Sequence, residues 1–437
     1  MSKKRYAIVG LGSRSRMFLD ALLGEHKDQS ELVALCDVNQ TRMDYTNRIA
    51  ADKFKAKPAT TYKSEAFDEM IKKEKIDTVI VTCIDRLHHK YIVRAMELGC
   101  DVISEKPMTV DEEKAGAIMD AIDRTGKSLK VTFNYRYSPR NTKIKEIIHS
   151  GEIGEVVNVH FEWLLDTRHG ADYFRRWHRD KKNSGGLLVH KSTHHFDLVN
   201  WWLDSTPEEV FAQGRLAFYG KENAEKRGVT EFYSRVTGSK AAEKDPFAMD
   251  IKDEGPRELY LKAEHEDGYL RDRSVFDDGI NIEDTMSVLV KYKNKTTLTY
   301  SLNAFCPWEG YRVMFTGTKG RLEVDIVERA YVSGTSEDQN DPSYQDHGMD
   351  KETQTIRLQK LWGRTQPITW TEGKGGHGGG DGIMLRDIFV GGRVDPLKTA
   401  ANHVDGLKSI LVGIAANKSI AEKRLVKVSE LADLKGA

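Results

Sequence analysis

The sequence predicts an α/β fold in two parts: a Rossmann-type, doubly wound parallel sheet at the N-terminus, and a second, α+β domain with a mostly antiparallel open sheet covered by helices. Three observations favour this fold class. Short β-branched runs alternate with helical patterns in the first third of the chain. The first run leads into the glycine-rich turn GLGSRS. After residue 135 the runs alternate between apolar and polar residues, which is typical of antiparallel strands.

The first domain is predicted to cover residues 1–134 and to bind a dinucleotide. Its apolar runs are RYAIVG, ELVALCD, DTVIVTCI, DVISEKP and LKVTFNY. Helical spacing is found at 14–26, 40–55, 65–73, 87–98 and 111–125. Because strands that alternate with helices pair in parallel, these runs predict one buried sheet with helices on both faces.

Residues 135–437 are predicted to form the substrate-binding and oligomerisation domain. Its predicted strands are VVNVHFEWLL, EEVFAQGRLAF, MSVLVKYKNKTTLTYSLNAF, YRVMFTGTKGRLEVDIV and QTIRLQ, with a hairpin at KNK. A charged, turn-rich insertion around 220–280 and the glycine-rich GKGGHGGGDG near residue 377 interrupt this pattern. We expect most of both segments to be solvated surface loop, with closure over a site or assembly as the alternatives.

Composition favours an ordinary globular protein with a small-molecule partner. The 437 residues are 39% hydrophobic, and 67 Lys+Arg balance 67 Asp+Glu, so no net field attracts nucleic acid or anionic lipid. No apolar stretch is long enough to span a bilayer, and the N-terminus has no leader-like core, so we expect a cytoplasmic protein without membrane contact. The four cysteines have no spacing typical of a zinc site or a disulfide framework.

The turn GLGSRS and the acid that ends the second run favour NAD as the cofactor. Gly10 permits the tight turn, Gly12 lets backbone approach a pyrophosphate, and Ser15 stands where a third glycine is usual. A lone G-x-G also occurs in ordinary strand-to-helix turns. Asp37 strengthens the interpretation, because an acid here binds the adenosine ribose and repels a 2′-phosphate. Arg42 is near enough to leave NADP as the less favoured alternative.

The chain resembles the Gfo/Idh/MocA family, the relatives of glucose-fructose oxidoreductase and inositol dehydrogenase. The resemblance covers essentially the whole sequence. The matching pieces are GLGSRS, Asp37, Thr82 followed by His88, EKPMT, FNYRY, GEIGEV, WHRDKKNSGG, HKSTHHFD, GTKGRLE and GIAANKSI.

The resemblance implies a set of coenzyme-binding residues around the carboxyl ends of the parallel strands. Lys106 would lie near both the nicotinamide and the substrate hydroxyl, and burial there would lower its pKa toward neutrality. The alternative is a surface lysine in a loop. The implied coenzyme-binding residues are Gly10, Gly12, Ser13, Arg14, Ser15, Asp37, Thr82, His88, Glu105, Lys106, Asn134, Trp177 and His178.

The stretch LLVHKSTHHFDLVNWWL predicts one helix with His190 and His194 one turn apart on the same face. In many members of the family an aspartate stands where His190 does, and a histidine where His194 does. We expect the two imidazoles to depress each other's pKa and to share one proton. Zinc binding or simple packing are the alternatives, but spacing places no third ligand, so no metal site is predicted.

The predicted function is NAD-dependent oxidation of a sugar or sugar derivative by hydride transfer from a secondary hydroxyl carbon. The catalytic candidates are Lys106, His194, His190 and Tyr135. The substrate-contact candidates are Lys106, Arg136, His169, Tyr173, His190 and His194, because polar groups and a flat ring suit a polyol.

Three alternatives to this function remain open at this point. Some proteins similar to the family cleave glycosides with a retained NAD, by transient oxidation at C3 followed by elimination. Others are regulators that bind dinucleotide or sugar without turnover, and a zinc hydrolase is the last alternative. The resemblance also implies a homodimer or homotetramer.

Overall fold

A parallel six-stranded sheet forms the N-terminal part of the protein in a computed structural model that describes residues 3–332, 354–371, 373 and 375–432. Its strand order, β3-β2-β1-β4-β5-β6, reverses direction between β1 and β4, and ligands bind in the crevice at such a point. The Rossmann-type prediction is therefore confirmed. The strands are β1 Lys4–Val9, β2 Ser30–Asp37, β3 Thr60–Lys63, β4 Thr78–Val81, β5 Asp101–Ser104 and β6 Leu129–Val131.

Helices connect these strands and cover both faces of the sheet. Asn39 and Asp111 cap two of them, because each side chain accepts a hydrogen bond from a backbone N–H of the first turn. The edge strand β3 was not predicted, since its sequence TTYK has no apolar run. The helices are α1 Ser15–Asp20, α2 Gln40–Phe54, α3 Phe67–Lys73, α4 His88–Glu97 and α5 Glu112–Thr125.

A nine-stranded sheet forms the second part, in the order β14-β13-β12-β11-β7-β10-β9-β8-β15. The β7–β10 pair is parallel and the other pairs are antiparallel, as the sequence predicts. The KNK turn joins β9 to β10 in the expected hairpin. The strands are β7 Val156–Asp166, β8 Pro207–Arg215, β9 Thr285–Tyr292, β10 Thr297–Cys306, β11 Glu309–Gly317, β12 Gly320–Arg329, β13 Thr355–Lys360, β14 Gln366–Ile368 and β15 Val426–Lys427.

Among the helices of the second part, the last one packs on β8 of the larger sheet, and the one before it packs on the parallel sheet. Within the described ranges, no helix combines the length and apolarity needed to cross a membrane. The helices are α6 Pro139–His149, α7 His169–Arg175, α8 Lys181–Ser184, α9 Leu187–His190, α10 Thr193–Leu203, α11 Lys221–Lys226, α12 Glu254–Pro256, α13 Glu264–Asp267, α14 Gly380–Phe389 and α15 His403–Glu422.

One apolar core runs from the parallel sheet into the larger sheet, and it includes Val81, Phe133 and Phe161. The helix α15 packs so closely on α9 that a Cβ at Gly413 would lie 2.2 Å from the Leu188 carbonyl oxygen. The same helix also contacts α10 and β6, the last strand of the parallel sheet. The domain boundary at residue 134 stays a prediction.

Candidate active site

The glycine-rich turn after β1 is held rigidly at the carboxyl end of the parallel sheet. Gly10 has a φ of 86°, and a Cβ there would lie 2.4 Å from Cys83 Cα, so both conformation and space require glycine. Thr82 Oγ1 donates to the Gly10 carbonyl over 2.5 Å. Ser15 Oγ donates to the Gly12 carbonyl over 2.7 Å, which secures the start of α1.

Asp37 closes this turn from the end of β2. Its buried carboxylate accepts hydrogen bonds from the backbone N–H groups of Leu11 (2.5 Å) and Asn39 (2.9 Å). Burial raises the Asp37 pKa, against the opposing effect of these bonds and of Arg42. A glycine turn too tight for any Cβ and an acid beside it fit the ribose and pyrophosphate of a dinucleotide.

Two of the predicted coenzyme-binding residues are engaged elsewhere. The ring nitrogens of His88 lie 2.8 Å from the Pro107 backbone oxygen and 3.1 Å from the Cys83 backbone oxygen, so this histidine links the loops after β4 and β5. Glu105 accepts from Arg14 Nε over 2.8 Å. Direct binding of coenzyme by His88 stays a prediction, and the contacts of its ring show a part in positioning these two loops.

Lys106 lies at the carboxyl end of β5 against α9. Its ammonium donates to the His190 carbonyl over 3.1 Å and lies 3.5 Å from His190 Nε2. Burial lowers the pKa of Lys106 to about 8, against the opposing effect of Asp85 and Glu105. A lysine in this range carries an appreciable neutral fraction near physiological pH and can exchange protons.

Asp85, in the loop after β4, supplies an acid that sequence reasoning missed. Its Oδ2 lies 2.5 Å from His190 Nδ1, and the carboxyl group is buried. Burial raises the Asp85 pKa and lowers the His190 pKa, so the pair favours one shared proton. An Nδ1–H donor to Asp85 leaves Nε2 facing Lys106. The position after an apolar strand was the available signal for Asp85.

The predicted helix through 187–203 is interrupted, which separates His190 from His194. Its two halves, α9 and α10, meet at Lys191 and Ser192, where the Ser192 hydroxyl bonds Tyr300 over 2.9 Å. The expectation that the two imidazoles pair with each other is wrong. His190 instead packs against His178, with ring centroids 4.1 Å apart.

His178 and Trp177 both pack against His190. Their rings stack with centroids 3.6 Å apart, and Tyr173 packs edge-on against both His178 and His190. The Nδ1 atom of His178 is buried without a partner among the described residues.

His194 lies among aromatic rings and beside a second histidine. Its ring packs edge-on against Tyr135 at 5.0 Å and lies 5.8 Å from His377. Burial and then Lys106 lower the His194 pKa, and burial raises the Tyr135 pKa, so both groups favour their neutral forms. His194 Nδ1 is buried and has no partner within the described part of the chain.

His377 and Asp381 come from the glycine-rich segment, which sequence reasoning treated as surface loop for most of its length. His377 Nδ1 lies 2.9 Å from Asn134 Nδ2 and 3.1 Å from the Asp381 carboxylate. A Cβ at Gly380 would lie 2.2 Å from the Asn134 carbonyl oxygen, so the glycine there permits the close approach. The H-G-G-G-D pattern was the available signal.

His169, Tyr173 and Glu309 lie together. His169 Nδ1 lies 2.7 Å from Glu309 Oε1, and its Nε2 lies 3.0 Å from the Tyr173 hydroxyl. Burial opposes ionisation of Glu309, but His169 and Lys191 outweigh it and lower its pKa to about 2. Glu309, which the sequence did not indicate, therefore remains a carboxylate that orients His169.

Arg136 is not directed toward Lys106. Its guanidinium donates to both oxygens of Asp197 (2.7 and 2.6 Å) and lies 3.0 Å from Asp405. The side chain is 2% exposed, so these acids satisfy it in the core. Contact of Arg136 with substrate stays a prediction, although the buried ion pair with Asp197 already compensates its charge.

The described residues contain no group of three His, Cys, Asp or Glu side chains arranged to hold a metal ion. The zinc-hydrolase alternative therefore has no ligand set in the described part of the chain.

Comparison with known families gives two matches that together cover most of the chain. Residues 4–133 match a model described as "Oxidoreductase family, NAD-binding Rossmann fold". Residues 145–428 match "Oxidoreductase family, C-terminal alpha/beta domain".

Individual proteins show the same relationship. YteT of Bacillus subtilis (strain 168), which is named as an oxidoreductase, is 38% identical over 450 residues, 98% of this chain and 98% of its own. The scyllo-inositol 2-dehydrogenase (NAD(+)) of that organism is 26% identical over 200 residues, 43% of this chain and 54% of its own. The crystal structure of aldose-aldose oxidoreductase from Caulobacter crescentus, complexed with glycerol, shares the fold with a TM-score of 0.62 at 19% identity, over 98% of this chain and 100% of that one.

Proposed function

The chain belongs to the Gfo/Idh/MocA oxidoreductase family, and from this premise we propose that it is an NAD-dependent dehydrogenase of a sugar or sugar derivative. A bound nicotinamide would accept hydride from a secondary hydroxyl carbon, which leaves the hydroxyl proton to the protein. The observation that carries the proposal is the chain of contacts from Lys106 through His190 to Asp85.

Lys106 is the base that we assign to the hydroxyl proton. Its pKa of about 8 provides a neutral amine at moderate pH. Asp85 holds His190 Nδ1, so His190 Nε2 can accept the proton from Lys106 and return it. His194 is the second acid/base candidate, since its buried Nδ1 has no partner within the described residues. Tyr135 orients His194 through their edge-on ring contact.

His169 and Tyr173 are the residues that we assign to the substrate hydroxyls. They are stacked with ring centroids 5.4 Å apart, and Glu309 fixes the orientation of His169. An imidazole and a phenol on a rigid helix can donate to and accept from neighbouring hydroxyl groups. A polyol face presents such groups at similar spacing, and the dehydrogenase named for scyllo-inositol is a relative of this chain.

The choice of NAD over NADP rests on Asp37 at the end of β2. A carboxylate at this position bonds ribose hydroxyls and repels a 2′-phosphate. Arg42 Nη1 lies 3.8 Å from Asp37 Oδ1 and 2.6 Å from Asp267 Oδ2. Arg42, the residue that keeps NADP as the alternative, is thus already paired with two acids.

The relatives named above are a dehydrogenase and oxidoreductases, and none of their names supports glycoside cleavage or regulation without turnover. We therefore propose the dehydrogenase function alone. Its cytoplasmic location stays a prediction.

We also propose that the protein is a homo-oligomer through the outer face of the nine-stranded sheet. Phe211 and Leu289 lie directly opposite each other on β8 and β9 and are 36% and 47% exposed. Exposed apolar side chains in register favour burial against another surface. Sedimentation analysis of the wild type and of Leu289→Lys tests this, and a monomeric wild type would contradict it.

The proposed function is tested by supplying NAD and a panel of inositols and aldoses to the purified protein, and by following the absorbance of reduced nicotinamide. We expect turnover with at least one polyol and slower turnover with NADP. Denatured protein should be checked first for nicotinamide in the supernatant, so that retained coenzyme is counted.

Aryl glycosides, tested without added NAD, provide the control for the glycosidase alternative. Release of the aryl group there would contradict the dehydrogenase assignment. A protein that binds NAD tightly but reduces it with no polyol of the panel would also contradict it.

A further inference from the structure

Residues 254–269, which belong to the predicted insertion, dock on the coenzyme edge of the Rossmann domain; we call them the edge segment. Leu259 and Tyr260 pack with Tyr45 of α2 in a small separate core. The Ala263 carbonyl accepts from Asn39 Nδ2 over 2.7 Å. The edge segment is therefore attached to the Rossmann domain at both apolar and polar points.

Glu266 of the edge segment caps the N-terminus of α2. Its carboxylate accepts from the backbone N–H groups of Gln40 (2.7 Å) and Thr41 (2.8 Å), and it pairs with Lys63 over 2.8 Å. A carboxylate at a helix N-terminus is stabilised by the exposed amides and the helix dipole. An acid from the second domain thus stands at the helix that follows Asp37.

Tyr260 connects the edge segment to the glycine-rich turn. Its hydroxyl accepts from the Ser13 backbone N–H over 3.1 Å. The amides of this turn are the donors that a pyrophosphate uses in a G-x-G site. The edge segment therefore borders the adenosine half of the proposed coenzyme site and is not a detached surface loop.

Arg42 is held by the edge segment on two sides. Its Nη1 lies 2.6 Å from Asp267 Oδ2, and its Nε donates to the Leu259 carbonyl over 2.9 Å. The Nη2 atom is buried and has no partner within the described residues. The guanidinium charge is compensated by Asp267 and Asp37, while the two N–H groups of Nη2 remain for a neutral acceptor such as a ribose hydroxyl.

We propose that Asp267 is a determinant of coenzyme selectivity, which excludes a 2′-phosphate by holding and neutralising Arg42. The proposal deepens the proposed function and rests on it for the presence of a dinucleotide at this edge. A free arginine beside the ribose would attract a 2′-phosphate, whereas an arginine paired with Asp267 presents no net positive charge. Selectivity is thus supplied in part by the insertion, from outside the Rossmann domain.

The test measures binding, without turnover, on protein freed of coenzyme. The probes are ADP-ribose and 2′-phospho-ADP-ribose, and calorimetry gives the dissociation constant of each. We expect Asp267→Asn to tighten 2′-phospho-ADP-ribose about tenfold relative to ADP-ribose, since one compensating negative charge near Arg42 is removed. Adding Arg42→Ala to this variant should remove the gain.

Glu264→Gln is the matched control, because Glu264 lies on the same short helix and pairs with Arg235 over 2.9 Å. It removes one charge from the edge segment without touching Arg42, and it should leave the ratio of the two constants unchanged. An equal shift in both variants would show that the effect depends only on the total charge of the edge segment, and it would overturn the proposal.

The remaining outcomes are also decisive. An unchanged ratio in Asp267→Asn would overturn the proposal, and so would loss of ADP-ribose binding, which would make Asp267 a structural support of the edge segment. Failure of the wild type to bind ADP-ribose would instead count against the proposed function, so the two failures are distinguishable.

Discussion

The two ends of the candidate site are built on opposite electrostatic principles. At the reaction end, His190 and His194 are buried and Lys106 is half-buried, and the loss of solvation shifts the pKa of each toward the neutral form. At the adenosine end, Arg42 and Asp267 form a short ion pair. The reaction end therefore holds groups that can exchange protons, whereas the charged groups at the adenosine end neutralise each other.

This difference indicates that the two ends of the site have different functions. A group with a strongly shifted pKa and an unpaired buried nitrogen is suited to proton transfer, whereas compensated charges suit recognition of a fixed ligand. Changes at the reaction end should therefore alter turnover with little effect on coenzyme affinity. Changes at the adenosine end should do the reverse.

The largest effect is expected from Lys106→Ala. Loss of the base should lower kcat by up to about 10⁴-fold, since general acid–base catalysis contributes about 10²- to 10⁴-fold. The dissociation constant for NAD should change less than about threefold, because the ribose and pyrophosphate contacts lie elsewhere. Steady-state kinetics and calorimetry measure the two quantities. Wild-type turnover in this variant would remove Lys106 from its assigned role.

Asp85→Asn should give the next largest effect. The neutral amide cannot stabilise a protonated His190, so kcat should fall about 10²-fold while NAD affinity is retained. The measurement is kcat against KM for the best substrate of the panel. A variant that loses NAD affinity and retains kcat would show that Asp85 acts in coenzyme binding and not at the reaction end.

The pH dependence should follow the pKa of Lys106 at about 8. Burial lowers this pKa, so the neutral amine that accepts the proton gains population as the pH rises. Below the pKa, kcat/KM for oxidation should rise about tenfold for each pH unit and then level off above it. Lys106→Arg should abolish this rise, because the guanidinium stays protonated. A wild-type profile that falls through this range would contradict the assignment.

Asp37→Ala tests the adenosine end. Loss of the ribose contact should weaken NAD about tenfold, the size of one or two hydrogen bonds to a charged group, with kcat at saturating NAD within about threefold. Titration of the coenzyme-free protein with NAD measures the affinity. Unchanged affinity would show that the ribose acid is misassigned.

Arg136→Met should have the smallest effect on kinetics, although it breaks a buried ion pair. The free energy of unfolding should fall by about 3–5 kcal/mol, because Asp197 is left unpaired in the core. KM for substrate should not change, which chemical denaturation and steady-state kinetics together would establish. A specific rise in KM with unchanged stability would support Arg136 as a substrate contact.

The parts of the site that were predictable share a local signal in the chain. Gly10, Asp37 and Lys106 each stand at the end of an apolar strand, and parallel strands bring their carboxyl ends to one edge. Glu309 and His377 were missed because their neighbours in space, His169 and Asn134, are far away in sequence. Arg136 follows such a strand too, but its side chain joins the core.

The sequence alone determined the fold class, the parallel sheet with its glycine turn, and the family of the chain, because these depend on short-range periodicity and on backbone sterics. The tertiary structure decided which charges meet. The fold places Asp85 beside His190, pairs Arg136 with Asp197, and brings Asp267 of the edge segment to Arg42. Such pairings depend on burial and on contacts between residues distant in the chain, which local patterns do not encode.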